Sequence, residues 1–175
     1  MRLKTSRGIA AATGALIVGA VISMAALAQM PPAGGEGMGA GGGGPQQSPA
    51  DRAIEYRKAV YTVISSNFGP LGGMLQGRVE YNGAEATKRA ERLAQMAVML
   101  DDAFPDVSKT GDTKAKPEIW TNKAEFDKLV KDFTDHTAAL AAQLKKDNKS
   151  ADDFKKVATA VAGDCRTCHD KFRAK

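Results

Sequence analysis

The chain has 175 residues, of which 26% are charged, 43% apolar and 18 in number are glycine, and its formal charge is +5. That length accommodates one domain with a real hydrophobic core. Arg2, Lys4 and Arg7 open the chain, and without those three charges the balance falls to +2, which excludes a nucleic-acid-binding surface built on net charge.

Residues 1–28 read as an export signal: the basic start, an apolar run from Ile9 to Leu27, and Ala26-Leu27-Ala28 as a small-x-small cleavage site. Cleavage there leaves Gln29 as the first mature residue and no stable membrane insertion. The apolar run is also long enough to serve as an uncleaved anchor. Residues 29–50, which include MPPAGGEGMGAGGGGPQQSP, offer almost nothing to a core. Their glycines make order entropically costly, so this Gly/Pro-rich segment is predicted to be a flexible tether.

Residues 51–175 fall into four segments with apolar residues at three- and four-residue intervals, and none alternates as a strand does. The first, from about Asp51 to Val79, aligns Ile54, Val60, Tyr61, Ile64, Phe68, Leu71 and Leu75, with Gly69-Pro70 and Gly72-Gly73 placed to bend or interrupt it. The second runs from Ala84 to Phe104, after an Asn82-Gly83 turn, with Ala90, Leu93, Met96, Ala97 and Leu100 inward and Pro105 as its stop. A polar loop follows as far as Pro117-Glu118-Ile119-Trp120.

Thr121 or Asn122 can cap the third helix, whose inward stripe is Phe126, Leu129, Val130, Phe133, Thr137, Leu140 and Leu144. Ser150 can cap the fourth, with Asp152 and Asp153 in its first turn and Phe154, Val157, Ala158, Val161, Ala162 and Cys165 as its stripe. Cys168, His169 and Phe172 continue that stripe. The predicted fold is all-α: an antiparallel four-helix bundle, with a covalently bound cofactor near the C-terminal helix.

The cofactor is implied by Cys165-Arg166-Thr167-Cys168-His169. Residues i, i+3 and i+4 of a helix share a face, so two thiols reach the vinyl groups of a c-type haem while the imidazole reaches its iron. His169 is then the proximal metal ligand. A structural zinc site would want four donors, and among strong soft or borderline donors only His136 remains. A redox dithiol normally opens a helix after a strand. One covalently attached haem c also agrees with export, because attachment of this kind takes place outside the bacterial cytoplasm; the expected location is the periplasm.

Only six residues follow His169 and none is Met or His, so a sixth ligand must come from upstream. His136 sits at the border of the third stripe, and Met74, Met96 and Met99 read as core filler. Five-coordinate, high-spin iron with an open face is therefore expected.

The early "EYRKAV", the "KPEIW" before the third helix and the terminal "CRTCHDKFR" together resemble the cytochrome c prime family across essentially all of residues 51–175. The resemblance implies that Arg57, which follows a tyrosine, pairs with a haem propionate and that Lys58 contacts the haem edge. It places Tyr61, four residues on, at the family's distal position over the iron. It sets Arg173 beside the proximal imidazole and brings Thr113 and Lys114 to the haem edge, although relatives often carry an acid at the latter.

The expected function is that of an exported haem protein, not an enzyme, that binds the diatomic gases nitric oxide and carbon monoxide, transfers single electrons with redox partner proteins, or does both. The resemblance adds a homodimer through the first two helices, with Val63 and Met99 as exposed apolar residues. The alternative is a six-coordinate, low-spin electron carrier of the same class, which needs a methionine where this chain has Tyr61. A peroxidase would need a distal acid-base group, for which His136 is poorly placed.

Overall fold

The structure is a computed structural model that describes residues 47–175. The predicted export signal and residues 29–46 of the Gly/Pro-rich segment lie outside the described residues. Helix α1 spans Pro49–Leu75, α2 Gly83–Ala97, α3 Glu118–Thr121, α4 Lys123–Lys146 and α5 Ala151–Phe172. No helix among the described residues is long and apolar enough to cross a membrane.

The helix starts follow local chemistry. Ser48 caps α1 by accepting from the Asp51 N–H at 3.1 Å, and Pro49, whose missing N–H costs nothing in the first turn, begins the helix two residues before the expected Asp51. Asn82 Oδ1 accepts from the Glu85 N–H at 2.9 Å, and Ser150 Oγ from the Asp153 N–H at 3.1 Å. Asn122 occupies the cap position of α4 without a side-chain bond to its backbone.

Helix α1 runs unbroken through Gly69-Pro70 and Gly72-Gly73, where a bend or break was expected. Pro70 has no N–H to offer the Ser66 carbonyl one turn earlier. Arg89 Nη1 of α2 makes that bond instead, at 3.0 Å. The helix ends two turns later at Gly77, which has φ +68°, with Arg78 N–H donating to Gly73 O at 2.9 Å and Gly77 N–H to Met74 O at 3.1 Å. This is the paired-bond stop that glycine's left-handed freedom permits.

Helix α2 is shorter than predicted. It passes at Val98 into a 3-10 turn, Val98–Asp102, and a second such turn, Asp106–Ser108, lies in the polar loop.

The four long helices pack in a ring, α1 on α2, α2 on α4, α4 on α5 and α5 back on α1, which makes an antiparallel four-helix bundle. Between them lie the stripes read from the sequence: Leu71, Leu93, Leu140, Leu144, Phe154 and Val161 are fully buried. The α1–α5 seam is the thinnest of the four. One end of the bundle is shut tightly: Tyr81 stacks on Phe154 with ring centres 5.2 Å apart, and its hydroxyl donates to Asn148 O at 2.8 Å.

Gly83 lies at this closed end, where a Cβ would run into the Asn148 carbonyl. Gly83→Ala is expected to cost about 1–3 kcal/mol, the usual penalty of forced overpacking, read as a lower urea midpoint of the holoprotein. An unchanged midpoint would mean that the two loops do not approach this closely.

Candidate haem-binding site

At the opposite end, the N-terminal half of α1 and the last turns of α5 enclose a cavity of about 690 Å³, a size suited to a cofactor-sized ligand. Arg57, Lys58 and Tyr61 line it from α1, Thr113 and Lys114 from the loop, and Cys168, His169 and Arg173 from the end of α5. These are eight of the nine residues singled out from the sequence. The ninth, Cys165, is half-buried against the core one turn before Cys168 and does not form part of the cavity wall.

Phe104, Phe126 and Phe172 supply apolar lining. Phe126 meets Phe104 and Phe172 edge to face, at 4.7 Å and 5.3 Å between ring centres, a favoured aromatic geometry.

Arg57 is 4% exposed, yet none of its acceptors is a carboxylate. Its Nη1 donates to Ala103 O at 3.1 Å and to Ser108 Oγ at 2.8 Å, and its Nη2 donates to Thr113 Oγ1 at 2.7 Å. The guanidinium carbon also lies 4.9 Å from the centre of the Phe104 ring. Burial pulls its pKa below the usual arginine value, partly countered by Tyr61. A buried cation on a cavity wall, hydrogen-bonded but not neutralised, suits an anionic group such as a propionate.

Lys58, at the rim, is paired with Asp112 at 2.6 Å. Lys114 is exposed, and its carbonyl accepts from Ala174 N–H at 2.8 Å. Lys116 N–H donates to Phe172 O at 3.0 Å, and Ala115 and Arg173 form an isolated antiparallel bridge. The loop is thus stapled to the chain just beyond the Cys-x-x-Cys-His motif.

His169 is exposed on the cavity wall, whereas Phe154, Val161 and Phe172 on the same stripe are buried and Cys168 is half-buried against the core. Partial desolvation beside the cavity, then nearby Arg173, lowers the His169 pKa from its ordinary value. Burial, then Asp164, pushes the Cys165 thiol up to about 11, and the same causes raise Cys168. Tyr61 is raised by burial first and by Cys168 second.

His136 lies outside the cavity wall, with Nδ1 2.8 Å from Asp164 Oδ2. Met74, Met96 and Met99 belong to the core or pack against it.

Sequence reasoning missed Ser108, fully buried beneath Arg57, and Phe104, assigned only as a helix end. A buried arginine does imply nearby acceptors, but nothing local marks which loop residue supplies them.

Four helices around a cavity that ends in Cys-x-x-Cys-His define the class of bundle-type c cytochromes. Residues 52–173 match the family model described as Cytochrome C'. Cytochrome c' of Rhodopseudomonas palustris is 39% identical over 124 residues, covering 70% of this chain and 82% of its own. The structure of cytochrome c prime from Shewanella frigidimarina superposes with a TM-score of 0.68 at 35% identity, covering 74% of this chain and 98% of its own. Variants of the Alcaligenes xylosoxidans protein, solved as a nitric oxide complex and with carbon monoxide bound, are 28% identical with TM-scores of 0.62 and 0.64, covering 70% and 73% of this chain and 94% and 98% of theirs. The chain belongs to the cytochrome c' family, and membership implies a covalently bound c-type haem.

Ser108→Ala removes one acceptor from a buried cation, and a cost of roughly 1–3 kcal/mol is expected. A urea midpoint of the holoprotein equal to that of the unaltered chain would show that Arg57 does not depend on this bond.

Proposed function

We propose that the chain is an exported, periplasmic carrier of one haem c that binds nitric oxide and carbon monoxide at a five-coordinate, high-spin iron. When bound, the haem supplies gas binding and one-electron exchange. Cys165 and Cys168 are the thioether positions and His169 is the axial ligand. Arg57, fixed by Ser108 and Thr113, is the partner for a propionate; Lys58, Lys114 and Thr113 border the haem edge, and Arg173 flanks the proximal imidazole.

One observation carries the open-iron reading: among the described residues, no histidine other than His169 and no methionine lines the cavity, and Tyr61 lines it from α1. The gas complexes of the Alcaligenes xylosoxidans relative support it. Tyr61 crowds the cavity with its ring, which packs against Phe104 at 6.3 Å. A homodimer through α1 and α2 is part of the same reading, with Val63 42% exposed; Met99 proves half-buried, and neighbouring Val98, 55% exposed, is the apolar residue presented there.

Ferric, ferrous and ferrous-carbonyl spectra of the exported protein test the proposal. High-spin spectra that shift with carbon monoxide are expected, whereas low-spin spectra indifferent to the gas would make the chain a six-coordinate electron carrier. His169→Ala should abolish the axial-ligand signature, and His136→Ala should leave the visible spectrum unchanged; a change in the latter would bring His136 to the iron. Tyr61→Leu should raise carbon monoxide affinity about tenfold or more, in keeping with relief of about 1–3 kcal/mol of crowding, and an unchanged affinity would rule out a sterically restricted pocket.

A further inference from the structure

The three tyrosines of the bundle end differently. The Tyr56 hydroxyl donates to Met99 O at 3.2 Å and the Tyr81 hydroxyl to Asn148 O at 2.8 Å. The Tyr61 ring packs against the core, but its hydroxyl has no hydrogen-bond partner among the described residues, and the residue lines the cavity. Asn67 Oδ1 is the one fully buried unpaired side-chain atom among the described residues, so the Tyr61 hydroxyl is not sealed in the core but opens to the cavity, where it is available to a bound ligand.

Several competing donors on the α1 wall are already committed. Thr62 Oγ1 donates back to Lys58 O and Ser66 Oγ to Thr62 O, each at 2.8 Å. Both Arg57 Nη atoms are engaged with Ala103, Ser108 and Thr113. Ser65, exposed like Thr62 and Ser66, also lines the cavity but lacks the ring packing that holds Tyr61 in place.

We propose that the Tyr61 hydroxyl donates a hydrogen bond to the molecule held in the cavity, so that the pocket favours small ligands with an accepting or anionic outer atom over apolar ones of equal size. The inference rests on the open-iron reading and adds polar selection to steric crowding. Burial, the main cause of its raised pKa, keeps the hydroxyl protonated and able to donate.

The test compares the holoprotein with Tyr61→Phe, which keeps the ring and removes only the donor, and with Tyr61→Leu, which also removes the bulk. Fluoride is the probe for the ferric state and carbon monoxide for the ferrous. In Tyr61→Phe, ferric fluoride affinity should fall about tenfold, as expected for one lost hydrogen bond to an anion. The infrared stretch of bound carbon monoxide should rise, because a positive dipole beside its oxygen has gone, while carbon monoxide affinity changes little. Tyr61→Leu should show the same infrared shift together with tighter carbon monoxide binding.

Equal fluoride affinity and an unmoved stretch in Tyr61→Phe would overturn the proposal, because the hydroxyl would then serve the cofactor's own acids. Loss of a ferric tyrosinate charge-transfer band in that variant would overturn it as well, making Tyr61 a ligand of the metal. If the unaltered protein shows no bound-carbonyl band at all, the open-iron reading itself falls, and the donor role falls with it.

Discussion

A single positive charge held in the interior organises the cavity end of the bundle. Taking a guanidinium out of water costs several kcal/mol unless polar groups replace its hydration. Arg57 meets that demand with two carbonyls and two hydroxyls, all drawn from residues 103–113. The polar loop is too poor in apolar residues to pack by itself, so these bonds to α1 do much to give it shape. Thr113 Oγ1 also accepts from Ala115 N–H at 3.0 Å. Ala115 bridges to Arg173, whose N–H donates to His169 O at 3.2 Å. The cation on α1 and the imidazole on α5 are therefore linked through one continuous run of backbone and hydroxyl contacts.

The bundle's two ends divide the work. At the closed end, Gly83 admits the Asn148 loop, and Tyr81 and Phe154 fill the interior. At the open end, Arg57 and Tyr61 on α1 and Cys168 and His169 on α5 occupy positions where large aliphatics would otherwise draw the helices together, and the α1–α5 seam is correspondingly thin. Cys165, half-buried against the core, lies one turn before Cys168 on the cavity wall. Stability generated along the well-packed α2–α4 and α4–α5 seams allows the cavity end to keep a buried charge without a carboxylate beside it and a tyrosine hydroxyl without a partner among the described residues.

What the sequence makes legible follows from the range of each interaction. The stripes of α4 and α5 depend on helical period alone, and Phe126, Val130, Phe133, Thr137, Leu140 and Leu144 are buried as that period requires. The haem motif is likewise local, three chemical groups within five residues. Other features depend on distant partners and leave no local trace. Continuity of α1 through Pro70 needs Arg89 from another helix. Ser108 looks like a solvated loop serine until Arg57 reaches it from 51 positions earlier in the chain. Asn67 is buried with Oδ1 unpaired, on a helix whose neighbouring serines and threonine remain exposed.

Covalent attachment changes what the rest of the wall must provide. On the proposed reading, Cys165, Cys168 and His169, within five consecutive positions of α5, would hold the haem from one helix alone, which would leave α1 free of the task of retention. Its side chains can instead set orientation and selectivity, one by charge and one by shape and dipole. Arg57 is rigidly placed by four acceptors, as the proposed role of orienting a propionate would require, because any slack in it would pass directly to its partner. Tyr61 is restrained by ring packing against Phe104 while its hydroxyl remains uncommitted. That combination of a fixed ring and a free donor is suited to reading a small ligand's outer atom. On the proposed reading, a division between α5 for retention and α1 for recognition would follow from placing the Cys-x-x-Cys-His motif on the last helix and the buried cation on the first.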